Sequence, residues 1–112
     1  MAIYSNFTID QGTSFKANID VTDADGDPLV LTGYTVAGQV RKSFASSTFT
    51  AFTSSVSNAT GGTIQIVLSP TQTGTFKAGR YVYDVEITKT STGEVTRVIE
   101  GQIEVTPGVT RA

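Results

Sequence analysis

From Tyr81 to Thr88 the chain alternates without a break: Tyr81, Tyr83, Val85 and Ile87 form one set, and Val82, Asp84, Glu86 and Thr88 form a second, more polar set. A period of two sends successive side chains to opposite faces of a pleated strand, which a helix of 3.6 residues per turn cannot do. The segment therefore predicts a two-faced strand near the middle of a sheet. Similar alternations recur elsewhere. Phe7 and Ile9 begin one that resumes, after the Asp10-Gln11-Gly12 break, as Phe15, Ala17, Ile19 and Val21. Tyr34, Val36, Gly38 and Val40 oppose Thr35, Ala37, Gln39 and Arg41, and Ile64, Ile66 and Leu68 alternate after Gly61-Gly62. Val95, Arg97, Ile99, Gly101, Ile103 and Val105 outline a last long strand, in which Arg97 falls in phase with the apolar set. A guanidinium on a buried face needs a carboxylate partner, unless the strand is already leaving the core at that point.

Thr, Val and Ile fill 39 of the 112 positions, against three Leu, and such β-branched side chains fit a pleated surface better than a helix. Between the alternating runs lie turn signals. Asp23-Ala24-Asp25-Gly26-Asp27-Pro28 combines a glycine suited to positive φ with a proline that cannot continue a central ladder. Ser91-Thr92-Gly93-Glu94 makes another turn. Ser69-Pro70 supplies an N-cap and N1 pair for one helical turn ending by Gly79. From Ser43 to Gly62 the text is rich in Ser and Thr and its period weakens, predicting a ragged edge strand and loops. Residues 106–112 read as a C-terminal tail, and residues 1–112 as one domain.

The expected fold is all-β: an immunoglobulin-like antiparallel sandwich of about seven strands with at most one short helical turn, a small barrel being the alternative. The passage Ser69 to Thr73 followed by Ala78-Gly79-Arg80-Tyr81 looks like the crossing between the sheets of such domains, with Tyr81 as the corner tyrosine that bonds back to the loop and Gly79 beside it.

The residues that are missing limit the chemistry. With no His and no Cys there is no Ser-His-Asp or Cys-His nucleophile and no usual zinc site. Asp23, Asp25 and Asp27 could wrap a hard cation, but Pro28 and Tyr34 stand where a calcium loop beginning at Asp23 needs Gly and Glu, so a solvated turn is expected. Asp84 and Glu86 share a strand face as a paired acid and base would, although on a polar face they more simply keep a sheet soluble. No catalytic residue, cofactor or metal is expected. A net charge of −2 without a basic stripe offers little to nucleic acid or anionic lipid, and no segment has signal-peptide or membrane-span character. Asn6-Phe7-Thr8 and Asn58-Ala59-Thr60 match the glycosylation sequon, read here as accidental. Phe44, Phe49 and Phe52 read either as inward anchors of the ragged edge or as aromatics that dock on another subunit. The ends of the chain add Ile3, Tyr4, Val109 and Arg111 as candidate contacts.

Four phrases resemble a family. They are Asn6-Phe7-Thr8-Ile9-Asp10-Gln11-Gly12 with Phe15; Leu31-Thr32-Gly33-Tyr34-Thr35 running to Gln39-Val40-Arg41-Lys42; Ala78 to Glu86; and Gly101 to Pro107 with Val109-Thr110-Arg111. In this order they resemble small virion proteins of tailed bacteriophages, including T4-like phages of marine cyanobacteria, and the N-terminal module of phage baseplate upper proteins. The resemblance implies a non-enzymatic structural protein, assembled in the bacterial host cytoplasm and carried on the virion as a tail, baseplate or fibre-attachment component. Its partners would be other virion proteins or further copies of itself in a homo-oligomer, with neither nucleic acid nor membrane among them. Capsid decoration and host-glycan binding are the alternatives.

Overall fold

The computed structural model describes residues 3–109. Strands β1 (Ile3–Tyr4), β2 (Phe7–Asp10), β3 (Phe15–Asp20), β4 (Tyr34–Arg41), β5 (Thr50–Ala51), β6 (Thr53–Asn58), β7 (Thr63–Leu68), β8 (Gly79–Lys89) and β9 (Glu94–Thr106) surround one short helix, α1 (Pro70–Gly74). They form two sheets, one running β1-β9-β8-β4-β5 with β2 also on β9, the other running β3-β7-β6. The two inner faces share one core that includes Ile9, Val40, Val85, Ile87 and Ile103 from the first sheet and Ile19, Ile64, Ile66 and Leu68 from the second. Fully burying each such side chain stabilises the fold by about 2 kcal/mol. The protein is an all-β, immunoglobulin-like sandwich, with β8 central in its sheet as the alternation of residues 81–88 requires.

Three details depart from the sequence reading. β1 and β2 lie parallel to β9, one after the other along the same edge, whereas the other pairings are antiparallel. The strand that holds Phe7 and Ile9 thus joins the sheet of β9 rather than that of β3. The Ser43 to Gly62 region, read as one ragged edge strand and loops, holds two edge strands, β5 in the larger sheet and β6 in the smaller, and β6 pairs with β7 with a bulge between Val56 and Asn58. The last strand takes in Thr106, so only residues from Pro107 onward lie beyond it, and the Gly108 N–H donates to Gln11 Oε1 at 3.2 Å.

The helix forms as its first residues predict. Ser69 accepts from the Gln72 N–H at 3.1 Å while Gln72 Oε1 accepts from the Ser69 N–H at 2.9 Å, a reciprocal capping box with Pro70 in the first turn. The Tyr81 hydroxyl donates to the Lys77 carbonyl at 2.8 Å and the ring stacks at 5.0 Å on Phe76, while Gly79 takes φ 142° where β8 begins. The Asp23 carboxylate is spent within its own turn, accepting from the N–H groups of Asp25 and Asp27 at 2.9 and 3.1 Å.

Candidate functional site on the outer face of the larger sheet

Because opposed residues on neighbouring strands point the same way, the ladder fixes which side chains share the solvent face. Gln39, Asp84, Glu100 and Tyr4 stand in one row across β4, β8, β9 and β1. Ala37, Glu86 and Arg97 form the row on one side of it, and Arg41, Val82 and Gln102 the row on the other. Small Ala37 and Val82 lower the middle of the surface. Tyr4 and Phe44 rise at its two edges, 63% and 84% exposed, and the result is a groove of about 610 Å³.

Arg97 stands on this face because of a β-bulge. The ladder pairs Val85 with Ile99 but Glu86 with Arg97, leaving Val98 as the extra residue. The bulge reverses the phase of the strand, so the sequence alternation that put Arg97 with the core holds only from Ile99 onward. Val98 and Ile99 are both buried, while Val95 and Arg97 are exposed. The guanidinium reaches Asp84 at 3.1 Å and Glu100 at 3.6 Å. At the other edge, Arg41 covers the Phe49 ring at 5.0 Å, donates to Gln39 Oε1 at 2.9 Å and also donates to the Ser46 carbonyl.

The candidate aromatic contacts divide. Phe44 and Phe49 are exposed, as are Ile3, Tyr4 and Val109. Phe52 is not a docking residue: it is only 6% exposed, tilted against Phe15 and edge-on to Tyr83, and it fills the space left by Gly38, where an added Cβ would meet its ring at 2.9 Å. Arg111 lies outside the described residues. Asn6 and Asn58, the sequon asparagines, use their side-chain oxygens internally, Asn6 accepting from the Gln102 N–H at 2.9 Å and Asn58 from the Gly61 N–H at 3.0 Å.

Sequence reasoning singled out Asp84, Glu86 and Tyr4 but missed Gln39, Glu100 and Gln102. The signal was present, since these three occupy the polar phase of their own strands; what a single sequence lacks is the register that sets the rows side by side. Among the described residues, no group of three or more Asp or Glu side chains is placed to hold a metal ion, and no helix is long and apolar enough to cross a membrane.

A second hollow, of about 250 Å³, opens between the sheets at the end near the β8–β9 hairpin, lined by Ile3, Val21, Leu29 and Val98 among others. It lies beside the N-terminal part of β9. β1 and β2 pair with β9 at 99–100 and 103–106, and among the described residues no strand covers the same edge from Glu94 to Val98. Beneath the β1–β2 junction, the Tyr83 hydroxyl donates to the Ser5 carbonyl at 2.6 Å, and burial pushes that hydroxyl well above the usual tyrosine range.

No protein-family model matches the chain, and no curated protein matches it. Among solved structures it is similar to InlP of Listeria monocytogenes, with a TM-score of 0.49 and 17% identity over 94% of this chain and 28% of that one. It is also similar to a family 123 glycoside hydrolase from Clostridium perfringens, with a TM-score of 0.44 and 12% identity over 96% of this chain and 24% of that one. The chain spans about a quarter of the length of each. Likenesses this distant carry no argument about function.

Proposed function

We propose that the protein is a non-enzymatic structural component of a tailed-phage virion, a tail, baseplate or fibre-attachment module that works by binding other virion proteins. The observation that carries the contact mechanism is the Glu94 to Val98 edge of β9, which no strand covers among the described residues, above the hollow lined by Ile3, Val21, Leu29 and Val98. An uncovered strand edge offers backbone N–H and C=O groups to an added strand, and an apolar hollow beneath it gives that strand's side chains somewhere to go. Exposed Ile3 and Val95 flank the place. The phage assignment itself is supported by the four phrases that resemble virion proteins of that family.

The test is incorporation. Immunogold labelling of purified particles carrying a tagged copy should decorate the tail or its distal end; label on the head would replace this reading with capsid decoration. A copy with Ile3→Lys and Val95→Lys, both at exposed positions, should keep its melting temperature and lose its place in the particle, because lysines on an edge oppose strand addition. Wild-type occupancy by that double variant would refute edge pairing.

A further inference from the structure

We infer that the groove on the outer face of the larger sheet is a binding site for a neutral oligosaccharide, a role that goes beyond protein contacts and uses a different surface. A sugar ring combines an apolar C–H face with a rim of hydroxyls that both donate and accept. The groove offers matching chemistry: aromatic rings at both edges, in Tyr4 and Phe44, and between them a floor of mixed hydrogen-bonding groups. On that floor the Asp84 and Glu100 carboxylates accept, the Arg97 guanidinium donates, and the Gln102 amide can do both. These groups are only partly buried, so hydroxyls can reach them without opening the fold.

The charges select among ligand classes. Arg97 lies within ion-pair distance of both Asp84 and Glu100, so a cationic peptide meets carboxylates that already have a counter-charge. An anionic sugar meets three carboxylates, with Glu86 added to those two, against two guanidiniums, of which Arg41 is already engaged by Gln39, the Ser46 carbonyl and the Phe49 ring. A wholly apolar ligand would strip water from the same floor without replacing its hydrogen bonds. A neutral polyol avoids each penalty. The span also fits: β1, β9, β8 and β4 are three strand spacings across, about 14 Å, room for a few sugar units. Successive residues of a strand point to opposite faces, so Tyr4 belongs to this groove while Ile3 lines the hollow at the β9 edge.

The experiment begins with the full chain on an array of immobilised hexose, N-acetylhexosamine, deoxyhexose and sialylated oligosaccharides. The strongest neutral binder, a sialylated counterpart and a trilysine peptide are then titrated into nitrogen-15-labelled protein. The neutral sugar should shift the backbone amides of Gln39, Asp84, Glu100 and Gln102, and should bind more tightly than the sialylated one. Tyr4→Ala and Phe44→Ala, each at an exposed site and each checked for its fold in the same spectra, should weaken that binding about tenfold. An array without neutral binders overturns the inference. So do shifts confined to other surfaces, affinity unchanged in both variants, or trilysine moving these amides when sugars do not. Particle incorporation reads a separate surface, so either result can fail without the other.

Discussion

The two ends of the sandwich are built on different plans. At the α1 end, side chains reach across the chain to tie down backbone groups: Gln11 Nε2 to the Phe76 carbonyl at 2.7 Å, the buried Thr73 hydroxyl to the Thr13 carbonyl at 2.8 Å, and the Tyr81 hydroxyl to the Lys77 carbonyl. Lys42 adds its ammonium over the Tyr81 ring at 4.7 Å. At the opposite end β9 runs on past β1 with β8 as its only strand neighbour among the described residues, and a hollow stays open between the sheets. Since β9 spans both ends, the contrast predicts that the cover on a strand, as well as its own sequence, sets how firmly each half is held.

The largest expected effect separates the two halves directly. Ile103→Ala, at a fully buried position in the covered half, should cost about 3 kcal/mol in urea denaturation, whereas Val95→Ala in the uncovered half should stay within about 0.5 kcal/mol. Equal losses would break the comparison. Gly101→Ala comes next. A Cβ there would point into the Ser5 carbonyl, where the chain crosses between β1 and β2, and the overlap should cost about 2 kcal/mol and loosen β1, visible as faster amide exchange at Ser5.

Tyr83→Phe sharpens the same junction by removing the hydrogen bond to Ser5, at a cost of about 1 kcal/mol at neutral pH. The hydroxyl's pKa is raised in the folded state above its ordinary 10.0, so its contribution is complete below pH 10 and is lost as pH rises further and the unfolded chain ionises first. The alkaline decline in stability above pH 10 should accordingly be shallower in the variant. An identical decline would show that Tyr83 does not drive it. The smallest effect is expected from Arg97→Ala, about 0.5 kcal/mol in the same denaturation, because its ion pairs are half exposed.

Much of the fold was legible, and its exceptions have identifiable causes. Alternation found β3, β4, β7, β8 and most of β9, because each buries one face. Ser69-Pro70 located the helix, because its cap is local chemistry. The alternation set Arg97 in phase with the core and left its exit or a carboxylate partner as the ways out; the bulge that brings it to Asp84 and Glu100 leaves no mark that distinguishes Val98 from any other strand residue. It could not assign Phe52 and Phe44 to opposite fates either. Phe52 is buried by the pocket that Gly38 leaves on the adjoining β4, a long-range fact. The groove was the least legible part, because it exists only when four strands are set in register.

The parallel run of β2 beside β9, with Phe7 to Asp10 matched to Ile103 to Thr106, has a mechanical consequence. Tension applied between the start of β2 and the finish of β9 pulls the two strands past one another, so their cross-links must give way together rather than unzip singly. A module mounted by its two termini would hold under load until that whole patch ruptured, giving a single high peak in a single-molecule stretching trace.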